Sequence, residues 1–285
     1  MSAAARAALG LAILTTAFIM PLKAQEAALP AMAFQTPEEA EAFGRRLALL
    51  SASGPIVNGP RPEILEYRVR SRGIEGVMVD SITLTNLHGR EILRAGRSLI
   101  IAGKRQDEVS DLEPGSLLPI RHTRRISEPD DTIREDTALW DHAGLRFFCE
   151  GNRIRAGRVQ RQLYRKEWRL GKDLPANAVD GLTAFIRFRA GVLAGSAEMS
   201  IPLVEGGGER SECVFEPRSR QADSRQPAAG HAPGIAVTQR IIPELNGRAT
   251  AVEIELSRSN ATPQRFEGEF FGMPATLELV RRRAP

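Results

Sequence analysis

The chain has 285 residues, of which 42% are hydrophobic and 26% are charged, and its formal net charge is +4. It is long enough to bury a real hydrophobic core, and we expect one main domain. The net charge is too small for a general nucleic-acid-binding protein, so nucleic acid is excluded as an expected partner.

The first 24 residues have the layout of a secretory signal peptide. Arg6 precedes an apolar run, residues 7–20, that is too short for a comfortable membrane span. Cleavage after Ala24 leaves Gln25 as the mature N-terminus and lowers the net charge to about +2, because Arg6 and Lys23 leave with the signal. No Cys stands at this junction to carry a lipid. We expect a soluble periplasmic protein that is not integral to the membrane; the alternative is that the run is retained as an anchor.

A small helix is expected in the N-terminal segment, residues 25–62. Thr36 can cap this helix, Pro37 suits its first position, and two glutamates follow at its positive end. Residues 59–62 contain Gly and two Pro residues and indicate a linker to the domain that follows. The apolar face of the helix consists of Ala40, Phe43, Leu47 and Leu50.

From residue 63 to residue 285, short segments of alternating apolar and polar residues are separated by turn residues. Such alternation is typical of antiparallel strands with one face in water. Leu65, Tyr67 and Val69, for example, alternate with charged residues. Residues 217–234 have few apolar residues and are rich in Pro, Ser, Ala, Gly and Arg, which predicts a mobile insertion in the sheet domain.

Three glycine-containing segments are expected to form hairpin turns in the second half of the domain. They are Glu205–Glu209, Asn246-Gly247 and Gly272-Met273-Pro274. The first contains three glycines but lacks the Gly-Lys-Ser/Thr ending of a phosphate-binding loop, so we interpret it as a turn.

One segment within this strand-rich region carries the signals of a helix. Asp180 can cap the first turn, and apolar residues recur after it at three- and four-residue spacing. Gly191 and Gly195 are expected to end the helix. We expect a core helix gripped by the sheet; the alternative is a helix that also lines a ligand cavity. Its stripe comprises Leu182, Phe185, Ile186, Phe188 or Arg189, Val192 and Leu193.

Five motifs occur in order along the chain: Tyr67-Arg68-Val69, Gly115-Ser116-Leu117-Leu118-Pro119, Trp140-Asp141, Asp180-Gly181-Leu182-Thr183-Ala184 and the hairpin of residues 263–279. Together they resemble a family of uncharacterised exported bacterial proteins, a domain of unknown function. That family is similar to the lipoprotein-carrier (LolA/LolB-like) half-barrels, in which a strongly curved antiparallel sheet encloses a helix and can offer an apolar cavity. The resemblance implies an envelope location and apolar-ligand binding rather than a reaction.

The expected fold is therefore mainly β, with a strongly curved antiparallel half-barrel wrapped around the helix at residues 180–190 and the small N-terminal helix beside it. The leading hypothesis is a protein that holds a lipid or acyl-like ligand in the concave face, which needs a cavity of roughly 300 Å³ or more. A filled core would favour a second hypothesis, an adaptor of envelope assembly that binds an envelope protein or anionic polymer through its outer surface. The candidate ligand-lining residues are Trp140, Leu182, Phe185, Ile186 and Phe188.

The two cysteines are both expected to point inward. Strand alternation places Cys149 on the same face as Phe147, and Cys213 on the same face as Phe215. In an oxidising compartment a disulfide between them would stabilise the fold by roughly 4 kcal/mol; the alternative is two inert buried thiols. Neither Cys nor His spacing supports zinc, and no cofactor is expected.

A group of arginines with shared strand parity forms the candidate anionic-ligand surface. Arg153, Arg155, Arg161, Arg165 and Arg169 are expected to make a positive ribbon on the outer face of the sheet. In an exported protein this ribbon would suit anionic headgroups or cell-wall polymers. The alternative is charge that only solvates the strand and protects a sheet edge.

No catalytic residues are expected. The histidines are His88, His122, His142 and His231, and no Ser or Cys signature accompanies them. A hydrolase is therefore the third hypothesis, after the two binding functions.

Overall fold

The computed structural model describes residues 59–87, 89–127, 130–205, 207–218, 234–245 and 247–285. The predicted signal peptide and the predicted N-terminal helix lie outside the described residues. Most of the predicted insertion lies outside them as well, as do His88, His231 and Asn246.

Fourteen strands and one helix occur in the described ranges. Their bounds are β1 (Glu63–Ser71), β2 (Ile74–Leu87), β3 (Arg90–Ile101), β4 (Lys104–Leu112), β5 (Pro119–Ser127), β6 (Thr132–Asp141), β7 (Arg146–Arg155), β8 (Arg158–Arg169), α1 (Gly181–Leu193), β9 (Met199–Val204), β10 (Arg210–Pro217), β11 (Gly234–Pro243), β12 (Thr250–Ser257), β13 (Pro263–Phe270) and β14 (Met273–Arg283).

All of these strands belong to one antiparallel sheet. Its order is β8-β7-β6-β5-β4-β3-β2-β1-β14-β13-β12-β11-β10-β9, so consecutive strands pair except β8 and β9, and β1 also pairs with β14. Strands β8 and β9 are the edges, and α1 lies between them in the chain. The expected fold, a mainly β protein with a strongly curved antiparallel sheet and a central helix, is confirmed; the sheet is open rather than closed into a barrel.

Several hairpins turn through two residues that both have positive φ, which is the geometry of the tight turn that matches strand twist. The last turn is Phe271-Gly272, so the predicted turn at Gly272-Met273-Pro274 is wrong by one residue. A second such turn separates β7 from β8 within the run of candidate arginines from Arg153 to Arg169. These turns are Arg72-Gly73, Ala102-Gly103, Ala156-Gly157 and Phe271-Gly272.

Helix α1 begins as the sequence predicts, because Asp180 has extended backbone and accepts a bond from the N–H of Thr183. Gly191 does not end it. This residue lies inside the helix, where an added Cβ would come within 2.6 Å of the Cε atom of Met199. The helix ends at Leu193, and Gly195 follows with φ of +94°, a conformation that suits glycine.

Two faces of α1 are buried against different parts of the sheet. On one face, the Phe188 ring stacks on Phe215 with centroids 4.0 Å apart, and the Phe185 ring lies 5.7 Å from that of Phe266. On another face, Leu182 packs in a cluster with apolar side chains of β2, β3 and β4. The helix therefore serves as a hydrophobic core that the curved sheet surrounds.

The helix also carries a buried charge into this core. The guanidinium of Arg189 forms an ion pair with Glu63 of β1, and its Nε donates to the carbonyl of Ala261 at 2.8 Å. Both charged residues are 2% exposed. A buried ion of this kind is tolerated only when paired, so this contact fixes the position of α1 relative to β1.

Candidate functional site

The five predicted ligand-lining residues are all buried in the packed core. Phe185 and Phe188 belong to the largest apolar cluster, and Leu182 and Ile186 belong to the cluster against β2–β4. Trp140 lies in a third cluster, where its ring is 4.9 Å from that of Phe147 and its indole N–H donates to the carbonyl of Ala178 at 3.1 Å. The structure therefore divides these residues among three clusters.

Two cavities on the concave side of α1 are small. One cavity of about 10 Å³ touches Leu182, Phe185 and Ile186, which is hardly the space of one water molecule. Another, of about 40 Å³, lies near the first turn of the helix and has room for about three. Neither can hold an acyl chain, so the helix fills the part of the concave face that it covers.

A row of charged side chains crosses the rest of the concave face. Asp80, Arg97, Glu108, Arg124 and Asp136 are direct partners across successive strands from β2 to β6. The signs of these charges alternate along the row. Because each side chain lies beside opposite charges, the row is internally compensated. We name these five residues the charged row.

The charged row was not predicted, because alternation of apolar and polar residues places charged side chains on the outer face of a sheet. In β4 and β5 both faces carry polar side chains, so no alternation marks the inner one. The parity of Leu112 with Glu108 in β4 was the signal that could have revealed it.

The two ends of the charged row are firmly bonded. The carboxylate of Asp80 accepts two bonds of 2.8 Å from Arg97, whose guanidinium lies 5.4 Å from the ring centroid of Phe185. Asp136 accepts bonds from Arg124 at 3.2 Å and from the hydroxyl of Tyr164 at 2.6 Å. Burial, and then the bond to Asp136, raise the pKa of Tyr164. This pattern is that of a rigid internal scaffold.

Ser110, His122 and Asp180 meet at the first turn of α1. We name these three residues the first-turn cluster, which the sequence did not predict. The hydroxyl of Ser110 donates to Oδ1 of Asp180 at 2.8 Å and lies 2.9 Å from Nδ1 of His122. That same nitrogen lies 3.3 Å from Oδ1 of Asp180.

This arrangement differs from a hydrolase triad in its geometry. In a triad, the acid and the nucleophile contact opposite ring nitrogens of the histidine. Here both approach the Nδ1 atom of His122, and Ser110 is fully buried. The cluster therefore joins the start of α1 to β4 and β5, and it does not present an activated nucleophile.

The ion pair in this cluster makes stability depend on pH. Burial disfavours the charged imidazole, but the Asp180 carboxylate outweighs burial and raises the pKa of His122. Burial likewise opposes ionisation of Asp180, yet His122 and bonds from Thr183 lower its pKa to about 2. The pair should contribute fully between about pH 4 and pH 6.5, and its contribution should fall as pH rises through the raised pKa of His122.

We therefore expect the free energy of unfolding of the wild type to exceed that of His122→Gln most at about pH 5–6, with the difference shrinking toward pH 9. Urea unfolding of both proteins across this range measures the difference, and other titrating groups cancel in it. A difference that is constant or that grows with pH would show that His122 is not paired as a cation.

Cys149 and Cys213 are free buried thiols in different clusters. Cys149 packs with Trp140 and Phe147, whereas Cys213 packs with the cluster that contains Phe215. Burial raises the pKa of each thiol to about 11, so both are poor nucleophiles at neutral pH. This arrangement corresponds to the alternative of two inert thiols.

The five candidate arginines are exposed, but the prediction of one continuous ribbon is wrong. Arg153 and Arg155 lie on β7 and share parity with the inward Cys149. Arg165 and Arg169 lie on β8. Their neighbours along the strand pair with inward residues of β7, so Arg165 and Arg169 themselves face outward. The turn at residues 156–157 and two register shifts between β7 and β8 break the parity that the sequence suggested.

The tip of the β7–β8 hairpin nevertheless concentrates positive charge. Arg153 stands directly opposite Arg161, and Arg155 stands opposite Arg158. Arg134 of β6 is the other neighbour of Arg153. We name Arg153, Arg155, Arg158 and Arg161 the hairpin arginines.

These four side chains make no ion pair with any acidic residue in the described ranges. The carboxylate of Asp130 lies near enough to be affected: hydrogen bonds from Thr132 lower its pKa, and Arg155 adds a smaller effect. Like charges directly opposite each other destabilise a strand pair, so this hairpin tip is not optimised for stability.

Among the residues that the structure describes, no group of three or more His, Cys, Asp and Glu side chains is placed to hold a metal ion. No helix among these residues has the length and apolar character to cross a membrane.

Comparison with known proteins identifies no matching family model and no matching curated protein. Among solved structures, the chain is similar to one described as a beta-barrel-like protein of domain of unknown function DUF1849 from Brucella abortus. The two are 12% identical with a TM-score of 0.45, and the match covers 79% of this chain and 98% of the other. This likeness adds no site residue and no function to the present chain.

Proposed function

We propose that this protein is an exported, non-catalytic binding protein of the cell envelope that acts through the exposed tip of its β7–β8 hairpin. In this proposal the hairpin arginines contact an anionic lipid surface. The observation that carries it is the direct opposition of Arg153 to Arg161 and of Arg155 to Arg158 at an exposed sheet edge. Export is supported by the apolar run of residues 7–20.

The packed interior supports a surface function over a ligand held in the concave face. The cavities that touch Phe185 and the first turn of α1 are about 10 and 40 Å³. Both are well below the roughly 300 Å³ of a small-molecule pocket. A filled interior is what the adaptor hypothesis requires.

The electrostatic contribution of the hairpin is large enough for specific adsorption. An arginine near an anionic membrane contributes about 1 kcal/mol, so four contribute about 4 kcal/mol, or roughly a thousandfold in affinity. Salt screens exposed charges over about 8 Å at physiological ionic strength, so binding should weaken steeply as salt is added.

A hydrolase is a weaker proposal, because the Ser110, His122 and Asp180 contacts converge on one ring nitrogen. The non-catalytic part of the proposal rests on this geometry.

Vesicle binding tests the proposal. The protein is purified after export, and its N-terminus is sequenced, since recovery of Met1 would contradict cleavage after Ala24. Cosedimentation with vesicles of phosphatidylcholine, with and without 30% phosphatidylglycerol, is then measured. We expect binding to the anionic vesicles only, and a loss of at least a hundredfold when the four hairpin arginines become Gln.

The matched control removes the same charge from exposed arginines elsewhere, at Arg68, Arg72, Arg248 and Arg258. We expect this control variant to retain most of the binding. An equal loss of vesicle binding in both variants would show that binding depends only on net charge, and it would contradict a surface defined by the hairpin arginines. Binding to polyglutamate but not to vesicles would replace the lipid surface with an anionic polymer.

A further inference from the structure

A surface groove lies beside α1, away from the hairpin arginines. Its volume is about 260 Å³. The helix contributes Arg187, the loop before β5 contributes Leu117, and the segment before the helix contributes Asn177. The edge strand β9 forms the remaining wall, through Met199, Ser200, Ile201 and Pro202.

Arg187 is the ionisable side chain among these lining residues. It is half-buried, and no carboxylate in the described ranges forms an ion pair with it. Burial lowers its pKa. His142 lies in the same region: burial lowers its pKa and Arg187 adds a smaller effect in the same direction, whereas Glu113 and Asp141 act to raise it.

Other arginines with low exposure are matched with carboxylates. Arg97 bonds to Asp80, Arg189 pairs with Glu63, and the guanidinium of Arg121 donates to Asp111 at 2.6 Å. Desolvating a cation without a counter-charge costs free energy, so buried cations in proteins are usually paired. Arg187 departs from the pattern of its own fold.

The other groove walls are suited to an amphipathic molecule. Leu117, Met199, Ile201 and Pro202 offer apolar surface, and Asn177 adds an amide. Pro202 accepts a bond from the N–H of Val179 at this sheet edge. By the two-residue period of a strand, the backbone N–H of Ser200 points to the same edge and can donate to an anion.

We propose that this groove binds a small amphipathic carboxylate, with its carboxylate on the Arg187 guanidinium and its apolar chain along Leu117 and Met199. The volume is below that of a typical drug-sized pocket, which selects a short chain rather than a whole lipid. None of the hairpin arginines lines this site, so the proposal can be tested independently of the proposed lipid-surface binding.

Calorimetric titration with octanoate, octanol and octylammonium tests the charge requirement. We expect octanoate to bind the wild type at least tenfold more tightly than either of the other two. Arg187→Gln should weaken octanoate binding about tenfold and leave octanol unchanged. The control Arg258→Gln, at an exposed arginine outside the groove, should behave as wild type.

Equal affinities for octanoate and octanol, or unchanged octanoate binding by Arg187→Gln, would overturn the proposal. The variant with all four hairpin arginines changed to Gln should bind octanoate normally, and loss of binding there would place the site on the hairpin instead. Because Arg187 has no described carboxylate partner, its variant should melt no lower than wild type.

The Cε methyl resonance of Met199 locates the ligand. In protein labelled with ¹³C at methionine methyls, octanoate should shift this resonance, which Met199→Leu identifies by its disappearance. The buried Met78 provides an internal control and should not move. A shift at Met78 without one at Met199 would move the ligand to the core and contradict the groove.

Discussion

Phe185→Asp is expected to prevent the protein from accumulating in folded form. Phe185 is 3% exposed, its ring lies 5.7 Å from that of Phe266, and it belongs to the same apolar cluster as Phe188. The nearby Arg97 is already bonded twice to Asp80, so it is not free to compensate a new carboxylate. An unpaired buried charge costs several kcal/mol, which is comparable with the whole stability of a domain.

The truncation Phe185→Ala measures the same contact in a protein that still folds. Removing a buried Phe from a packed core costs about 3–5 kcal/mol. Urea unfolding should show this loss, whereas Phe148→Ala, at a half-buried position on β7, should cost clearly less. A loss below about 1 kcal/mol for Phe185→Ala would show that α1 is not the centre of the core.

Asp180→Ala is expected to have the second largest effect. Asp180 is 2% exposed and is bonded by the N–H of Thr183 at 2.8 Å and by the hydroxyls of Ser110 and Thr183. Its removal takes away the helix cap, worth about 0.5–2 kcal/mol, and leaves His122 in a buried site without its partner. Breaking a buried pair in this way costs about 3–5 kcal/mol.

Asp180→Asn separates the two contributions, because an amide can still cap the helix but carries no charge. We expect its stability to lie between wild type and Asp180→Ala. The partly exposed Asp173, which accepts a bond from the N–H of Arg169, provides the control. If Asp173→Ala costs as much as Asp180→Ala in urea unfolding, the first-turn cluster is not a special anchor.

The helix was predictable from sequence because its signals are local. The cap at Asp180 and the apolar spacing through Leu182, Phe185 and Ile186 depend only on neighbouring residues. Its end was predicted less well: Gly191 lies inside the helix, where an added Cβ would meet the Cε atom of Met199, and the packing of β9 against α1 is not stated by the sequence around Gly191.

The charged row and the first-turn cluster were not predictable because they depend on register. Glu108 and Arg124 meet only when β4 and β5 align in one particular way, and the sequence does not state that alignment. Register also explains the error at the hairpin arginines, because the two register shifts in the pairing of β7 with β8 change which side chains share a face.

The tight turns were also only partly predictable from the sequence. The expected signal is Asn or Asp before Gly, but the chain uses Arg72, Ala102, Ala156 and Phe271 in that position, each with positive φ. The Gly that follows each of these residues readily adopts the positive φ that the second position of the turn requires.

Hydrogen–deuterium exchange on anionic vesicles tests whether the hairpin arginines form the membrane-binding surface. Amide exchange of the wild type is measured in three conditions: on vesicles that contain phosphatidylglycerol, on pure phosphatidylcholine vesicles, and without vesicles. The proposed function predicts slower exchange in peptides spanning residues 146–169, on the anionic vesicles alone, with unchanged exchange in α1. Protection that appears elsewhere in the sheet, or none on vesicles that bind the protein, would contradict a surface formed by the hairpin arginines.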